Sequence, residues 1–168
     1  GMEGLILDLR NNHGGLLNEA VGVCDRFLPQ NSLIVSTKGR IPSQNLRYLA
    51  TKTLHPDYPM AVLINKGSAS ASEIVAGALQ DYKRGIIIGE NSFGKGTVQS
   101  VLPLEDGSGL RLTTALYRTP KERDIDEKGI EPDIKVELPT FPKMASKIAA
   151  KGYFGGFSQK YLLTHLEV

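Results

Sequence analysis

The chain has 168 residues, 40% of them hydrophobic and 23% charged, with a formal net charge of +2. That near-balance, with no long basic block and no basic–aromatic interleaving, argues against nucleic acid as a partner. No apolar stretch approaches the ~18–20 residues of a membrane span, and the opening residues do not read as a signal peptide.

In chain order, Gly1-Met2 reads as a cloning scar or a start codon, and Leu5–Leu9 is already a core strand. So abrupt an opening predicts a fragment of something longer. Arg10-Asn11-Asn12-His13-Gly14-Gly15 is a loop, and Leu16–Leu28 places Leu17, Ala20, Val21, Cys24, Phe27 and Leu28 at helical spacing. The single cysteine, Cys24, cannot close an internal disulfide and reads as a small buried hydrophobe. Pro29 and Asn31 close the helix, Leu33–Ser36 is a short strand, and a polar stretch runs through Pro42 and Pro56 to Pro59.

Met60–Ile64 is a buried strand by its continuous apolar run, and Ser70–Tyr82 a helix with Ile74, Val75, Ala78 and Leu79 on one face. Gly85–Gly89 is the next buried strand. Thr97–Leu102 and Leu110–Arg118 alternate as strands do, joined by the turn signal Asp106-Gly107-Ser108-Gly109. A charged loop from Thr119 leads to a last short strand beginning near Gly129–Asp133, and Pro142–Lys151 reads as a helical tail. Alternating strands and helices predict an α/β fold.

The stretch Gly89-Glu90-Asn91-Ser92-Phe93-Gly94-Lys95-Gly96-Thr97 comes within one residue of a phosphate-binding P-loop, since Gly96 stands where a magnesium-ligating Ser or Thr belongs. A phosphate cradle needs the lysine to open a helix whose amides face the anion. Here the segment after Lys95 alternates at period two, with Val98 and Val101 favouring strand, so the loop leads from strand to strand. Lys95 is then a surface charge, or a general base whose neutral form is favoured by burial. A base needs a nucleophile. The run Ser68-Ala69-Ser70-Ala71-Ser72-Glu73 lies where a buried strand turns into a helix, a place where first-turn amides stabilise an oxyanion. The same residues fit a capping box, with Ser70 as N-cap and Glu73 at N3. Local sequence does not choose between capping and catalysis, nor among Ser68, Ser70 and Ser72.

Taken together and in order, LDLRNNHGG, NKGSASASEIVAGALQD, GENSFGKGTVQ, DGSGLRLTTALYRTP and KGIEPD resemble the carboxy-terminal processing peptidases, tail-specific serine proteases with a Ser–Lys pair. The resemblance implies a clp/crotonase-like α/β core over residues 1–138, truncated at its amino end and lacking a PDZ domain, with a carboxy-terminal tail over 139–168. It implies Ser70 as nucleophile, Lys95 as base and Gln99 as the residue that orients Lys95. It places the oxyanion hole at the amide of Ala71 and at Gly14 or Gly15, and matches Asp81 to a position of importance in some members, although a structural carboxylate is the plainer reading of Asp81. No metal or organic cofactor is implied. Protein or peptide substrates are, and so is a location in a bacterial periplasm or cell envelope.

Two residues depart from the family pattern: His13 replaces a proline in the glycine loop, and Glu122 replaces a glycine common in the segment after Thr119-Pro120. His13 invites a Ser–His mechanism, but the Lys95–Gln99 pair already fits. Two other readings stand beside the peptidase. One is an incomplete, non-catalytic fragment whose missing strands leave edges that favour homo-oligomers. The other is an acyl-CoA binder of the same fold class, which would need no Ser–Lys pair.

Overall fold

The computed structural model describes residues 1–52 and 57–137. The helix expected over 142–151 and the tail over 139–168 lie outside the described residues. Residues Gly1–Val136 form one compact unit built on two sheets.

The first sheet is parallel, in the order β1–β4–β5–β8, from β1 (Leu5–Asp8), β4 (Met60–Ile64), β5 (Ile86–Gly89) and β8 (Ile134–Lys135). The apolar run MAVLI fills the position between two neighbours, and Met60, Val62 and Ile64 are buried. The second sheet is antiparallel, β3–β2–β7–β6, from β2 (Leu33–Gly39), β3 (Arg47–Leu49), β6 (Thr97–Pro103) and β7 (Gly109–Arg118). The hairpin β6–β7 turns where Asp106 and Gly107 predict, with Gly107 at φ +84° and Asp106 Oδ1 accepting from the Ser108 amide. Strand β3 was not legible, being three residues long in a polar stretch, as was the short 3₁₀ turn Pro42–Gln44.

Helix α1 (Leu17–Cys24) is shorter than its apolar spacing predicts. Phe27 and Leu28 are still buried, but in a turn whose amides reach back to the Cys24 carbonyl. Asp25 closes the helix and accepts hydrogen bonds from the Thr51 amide, the Thr51 hydroxyl (2.9 Å) and the Lys52 amide (3.0 Å). Helix α2 (Ala71–Asp81) connects β4 to β5 as a βαβ crossover and is buried almost all round, Gln80 apart. The core lies between the parallel sheet, the helices and β2, with Leu28, Ile34, Ile64, Leu79 and Ile87 almost wholly enclosed. Burial of each such side chain contributes roughly 1.5–3 kcal/mol. Cys24 is part of this core, and its burial pushes the thiol up to about 12.

The other face of the parallel sheet is different. Ile6 is 70% and Ile86 53% exposed, although parallel sheets are ordinarily covered on both faces.

Candidate active site

Three loops meet at the carboxyl ends of three adjacent parallel strands: residues 9–16 after β1, 65–70 after β4 and 90–96 after β5. In open α/β sheets this is the edge at which sites are built. All three motifs singled out in the sequence therefore converge.

The first two loops are stapled together by asparagines. Asn65 Oδ1 accepts from the amides of Asn11 and Gly67, and Asn65 Nδ2 donates to Asn11 Oδ1, all at 2.9–3.0 Å. The Ala69 amide donates to the Asn12 carbonyl at 3.0 Å. Gly14, at φ +90°, lies so close that a Cβ there would sit 2.6 Å from the Ala69 carbonyl oxygen and 2.7 Å from the Ala71 nitrogen. Only glycine fits at that approach.

The three serines divide by what their hydroxyls do. Ser68 is fully buried, donates to the Leu9 carbonyl (2.7 Å) and accepts from the Asn65 amide, so its hydroxyl is spent on joining β1 to β4. Ser72 is buried within α2. Ser70 is half-buried and occupies the N-cap position with φ +55° and ψ −116°, a combination suited to glycine and strained for serine. Its hydroxyl makes no capping bond, because the Glu73 amide goes to the Ser70 carbonyl oxygen (2.9 Å) instead. The capping box expected from the sequence is present in its residues, and its hydrogen bond runs through the carboxylate, Glu73 Oε2 accepting from the Ser70 amide at 2.8 Å.

Glu73 does more than cap. It is 0% exposed, and its carboxylate accepts four hydrogen bonds: from the Ser70 and Lys95 amides at Oε2, and from the Gly94 amide and the Ser92 hydroxyl at Oε1. Two nitrogens bonded to one oxygen cannot lie more than about 6 Å apart, so the backbones of Ser70 and Lys95 are neighbours. Sequence reasoning missed this role. The available signal was an acidic residue directly before the apolar run Ile74–Leu79 of a buried helix, where a charged group needs partners.

Lys95 is exposed, and its amino group has no hydrogen-bond or ion-pair partner among the described residues. The loop that carries it is pinned on both sides. Glu127 donates its amide to the Gly94 carbonyl (2.9 Å), Asp126 Oδ1 accepts from the Gly96 amide (3.1 Å), and the Tyr117 amide donates to the Gly96 carbonyl (2.7 Å). A Cβ at position 96 would lie 2.8 Å from Asp126 Cα, which accounts for glycine where a P-loop needs Ser or Thr. As the alternation predicts, the loop leads into a strand, β6.

Gln99 is exposed on β6, immediately after a register shift in its pairing with β7, where Val98 pairs with Ala115 and Gln99 with Thr113. Lys95 itself precedes the strand, so the same-side argument for the pair does not carry over from ideal strand geometry. The amide of Gly14 is taken by Asn12 Oδ1 (3.0 Å), whereas those of Gly15 and Ala71 have no partner among the described residues. Asp81 ends α2, roughly 16 Å from Ser70 at 1.5 Å per residue, and is ion-paired with Arg123 while accepting from the Lys121 amide (2.8 Å). It anchors the 119–123 turn and does not meet the other site residues. His13 is exposed in the glycine loop. Beside Gly14 and Ala71 a cleft of about 360 Å³ opens, lined by Leu9, Leu16, Val23 and Val75. No helix of the described residues is long and apolar enough to cross a membrane.

A sequence model described as peptidase family S41 matches residues 1–136 of this site-bearing unit. The chain belongs to peptidase family S41. It is 49% identical over 167 residues to a carboxy-terminal-processing protease of Bartonella bacilliformis, covering 99% of this chain and 37% of that protein. A carboxyl-terminal-processing protease of Synechocystis is 48% identical over 139 residues, 83% of this chain and 32% of its own length. Among solved structures, a photosystem II D1 C-terminal processing protease matches with a TM-score of 0.74 at 39% identity, covering 86% of this chain and 38% of that one. The S41 chain thus spans about a third of the length of these relatives, and their shared fold is the clp/crotonase-like α/β core expected from the sequence.

Proposed function

We propose that this chain carries the catalytic core of a serine endopeptidase that cuts proteins near their carboxy termini, with Ser70 as nucleophile and Lys95 as general base. The observation that carries the reading is the shared anchoring of the Ser70 and Lys95 amides on Glu73 Oε2, with the Ser70 hydroxyl left out of helix capping. Neutral Lys95 takes the hydroxyl proton as Ser70 Oγ attacks the scissile carbonyl. The tetrahedral oxyanion faces the amides of Ala71 and Gly15, which have no other partner among the described residues. Collapse breaks the C–N bond, the lysinium returns its proton to the leaving amine, and an acyl-enzyme remains. Lys95, neutral again, then activates the water that releases the product. Gln99 is assigned to orienting Lys95, and Asp81 to holding α2 and the 119–123 turn together.

The cleft beside Gly14 and Ala71 suits an apolar side chain next to the scissile bond, in keeping with a peptide substrate. The relatives are bacterial and chloroplast processing proteases, and a periplasmic or envelope location is proposed on that basis. The test is peptide hydrolysis by the full-length protein with Ser70→Ala and Lys95→Ala. Both variants are expected to lose activity while staying folded. Hydrolysis that survives Lys95→Ala overturns the assignment of the base.

A second reading rests on Ile6 and Ile86, exposed on an uncovered face of a parallel sheet. By it, these residues alone fold without a working site, and further chain or another copy must cover that face. Activity of the full-length protein and none from residues 1–168 alone would support it.

A further inference from the structure

Ser92 sits in the middle of GENSFGKG, a motif from which the proposed chemistry uses only Lys95. It is 6% exposed, and its hydroxyl has two partners, Glu73 Oε1 and the Ile130 amide, each at 2.6 Å. The direction of this relay is fixed by chemistry. An amide can only donate and a carboxylate only accepts, so the single hydroxyl proton goes to Glu73. The Ser92 amide also donates to the Ile130 carbonyl (3.1 Å), so backbone and side chain together bind the strand-entry loop before β8. Gly129, at φ +68°, lets that loop approach: a Cβ there would lie 2.7 Å from the Ser92 carbonyl oxygen and 2.8 Å from its Oγ.

The other oxygen of the same carboxylate holds Ser70 and Lys95. A carboxylate is rigid about its own plane, so whatever fixes Oε1 also fixes where Oε2 points. Two donors fix Oε1, the Gly94 amide and Ser92 Oγ; Gly94 is held from outside the loop at its carbonyl by the Glu127 amide, whereas in Ser92 the same atom that donates to Oε1 accepts from the Ile130 amide, which couples the carboxylate directly to the segment before β8. We propose that Ser92 is a positioning residue for the nucleophile and base, which it orients through Glu73 without touching the reacting atoms. This inference rests on the peptidase reading for its functional consequence, but not for its structural one.

The experiment uses Ser92→Ala and Ser92→Thr in the full-length protein, beside Ser70→Ala and Lys95→Ala. Ser92→Ala is expected to lower kcat by about ten- to a hundredfold, leave KM within about threefold, and be largely rescued by Ser92→Thr, which returns the hydroxyl. Amide hydrogen exchange is read in parallel. In Ser92→Ala it should rise about tenfold or more at Ser70 and Lys95, with Ile74–Leu79 in the middle of α2 unchanged. Unchanged exchange at Ser70 and Lys95 overturns the proposal whatever the activity does. So does a kcat that stays at the parent value per folded molecule, or one that Ser92→Thr fails to restore although it folds. Hydrolysis persisting in Ser70→Ala and Lys95→Ala would instead sink the assignment of nucleophile and base, and absence of hydrolysis in the parent would sink the peptidase reading; either leaves the exchange result to judge Ser92 alone.

Discussion

Ser70 and Lys95, far apart in sequence, donate their backbone amides to the same oxygen, Oε2 of Glu73, at 2.8 and 2.9 Å. The shared acceptor is fully buried, and with the Gly94 amide and the Ser92 hydroxyl it satisfies four donors. Helix α2 thus begins at one proposed catalytic residue and, through its first turn, holds the loop of the other.

Removal of that carboxylate should therefore harm both stability and activity. Glu73→Ala strands two buried donors, the Ser92 hydroxyl and the Gly94 amide, each costing about 1–3 kcal/mol when left unpaired, releases the part-buried Ser70 and Lys95 amides, and is expected to unfold the domain or lower its melting temperature by many degrees. Glu73→Gln keeps the shape but turns an NH₂ group toward donors. It should fold with a lowered melting temperature and lose more than about 90% of kcat. Calorimetry and peptide hydrolysis check this, and a fully active Glu73→Gln would refute the role.

Ser70 offers the opposite trade. Its φ of +55° with ψ −116° is strained for any residue with a Cβ. Ser70→Gly should relieve the strain and raise stability by about 1 kcal/mol, a gain of roughly 2–4 °C in a domain of this size, while abolishing hydrolysis. Ser70→Ala removes the same hydroxyl but keeps the Cβ, so its melting temperature should stay near that of the parent. Equal melting temperatures for the two variants would show that the backbone angle carries no measurable strain.

What the sequence could and could not say follows from the range of each interaction. The buried strands β4 and β5, the glycine loops and the α2 face are local patterns, and they came out where the apolar runs put them, whereas β2 runs on to Gly39 beyond the expected Ser36 and the last strand begins only at Ile134. Period two after Lys95 correctly separated the GKG loop from a P-loop. Glu73 was legible only as a capping-box residue, because its bonds to Ser92, Gly94 and Lys95 join separate loops. Gly14 and Gly15 look alike as letters. They part only when Asn12 takes the amide of Gly14 and the chain brings Gly14 against Ala71. Gln99 shows the same limit: the register shift beside it has no sequence mark.

Glu122 stands where the family pattern favours glycine, and its φ of +61° supplies the reason. A side chain in the left-handed region is strained, and the ion pair that Glu122 makes with Arg118, at 3.5 Å and with the carboxylate 54% exposed, offsets little of it. Glu122→Gly should be neutral or stabilising by up to about 1 kcal/mol, whereas the β-branched Glu122→Val should destabilise by more than that. Denaturant melts of the two variants decide it, and a destabilised Glu122→Gly would show that the side chain matters more than the angle.

Acid stability should depend on Asp25. Burial pushes its carboxyl up, but the Lys52 amide, the Thr51 amide and the Thr51 hydroxyl outweigh this and hold it below the usual carboxylate range. A carboxylate whose folded-state value is depressed binds its proton more readily in the unfolded chain. Its contribution is therefore fully present above the unfolded value, near pH 4, and is lost as pH falls through the lower folded one. Asp25→Asn cannot titrate, so its stability should decline less steeply with acid across that window, from a lower starting point at pH 7. Urea midpoints for both proteins at intervals between about pH 5 and pH 2.5 test the sign. Parallel curves would mean that Asp25 is held equally in the folded and unfolded chains, and that the link from the end of α1 to the segment after β3 contributes nothing to acid sensitivity.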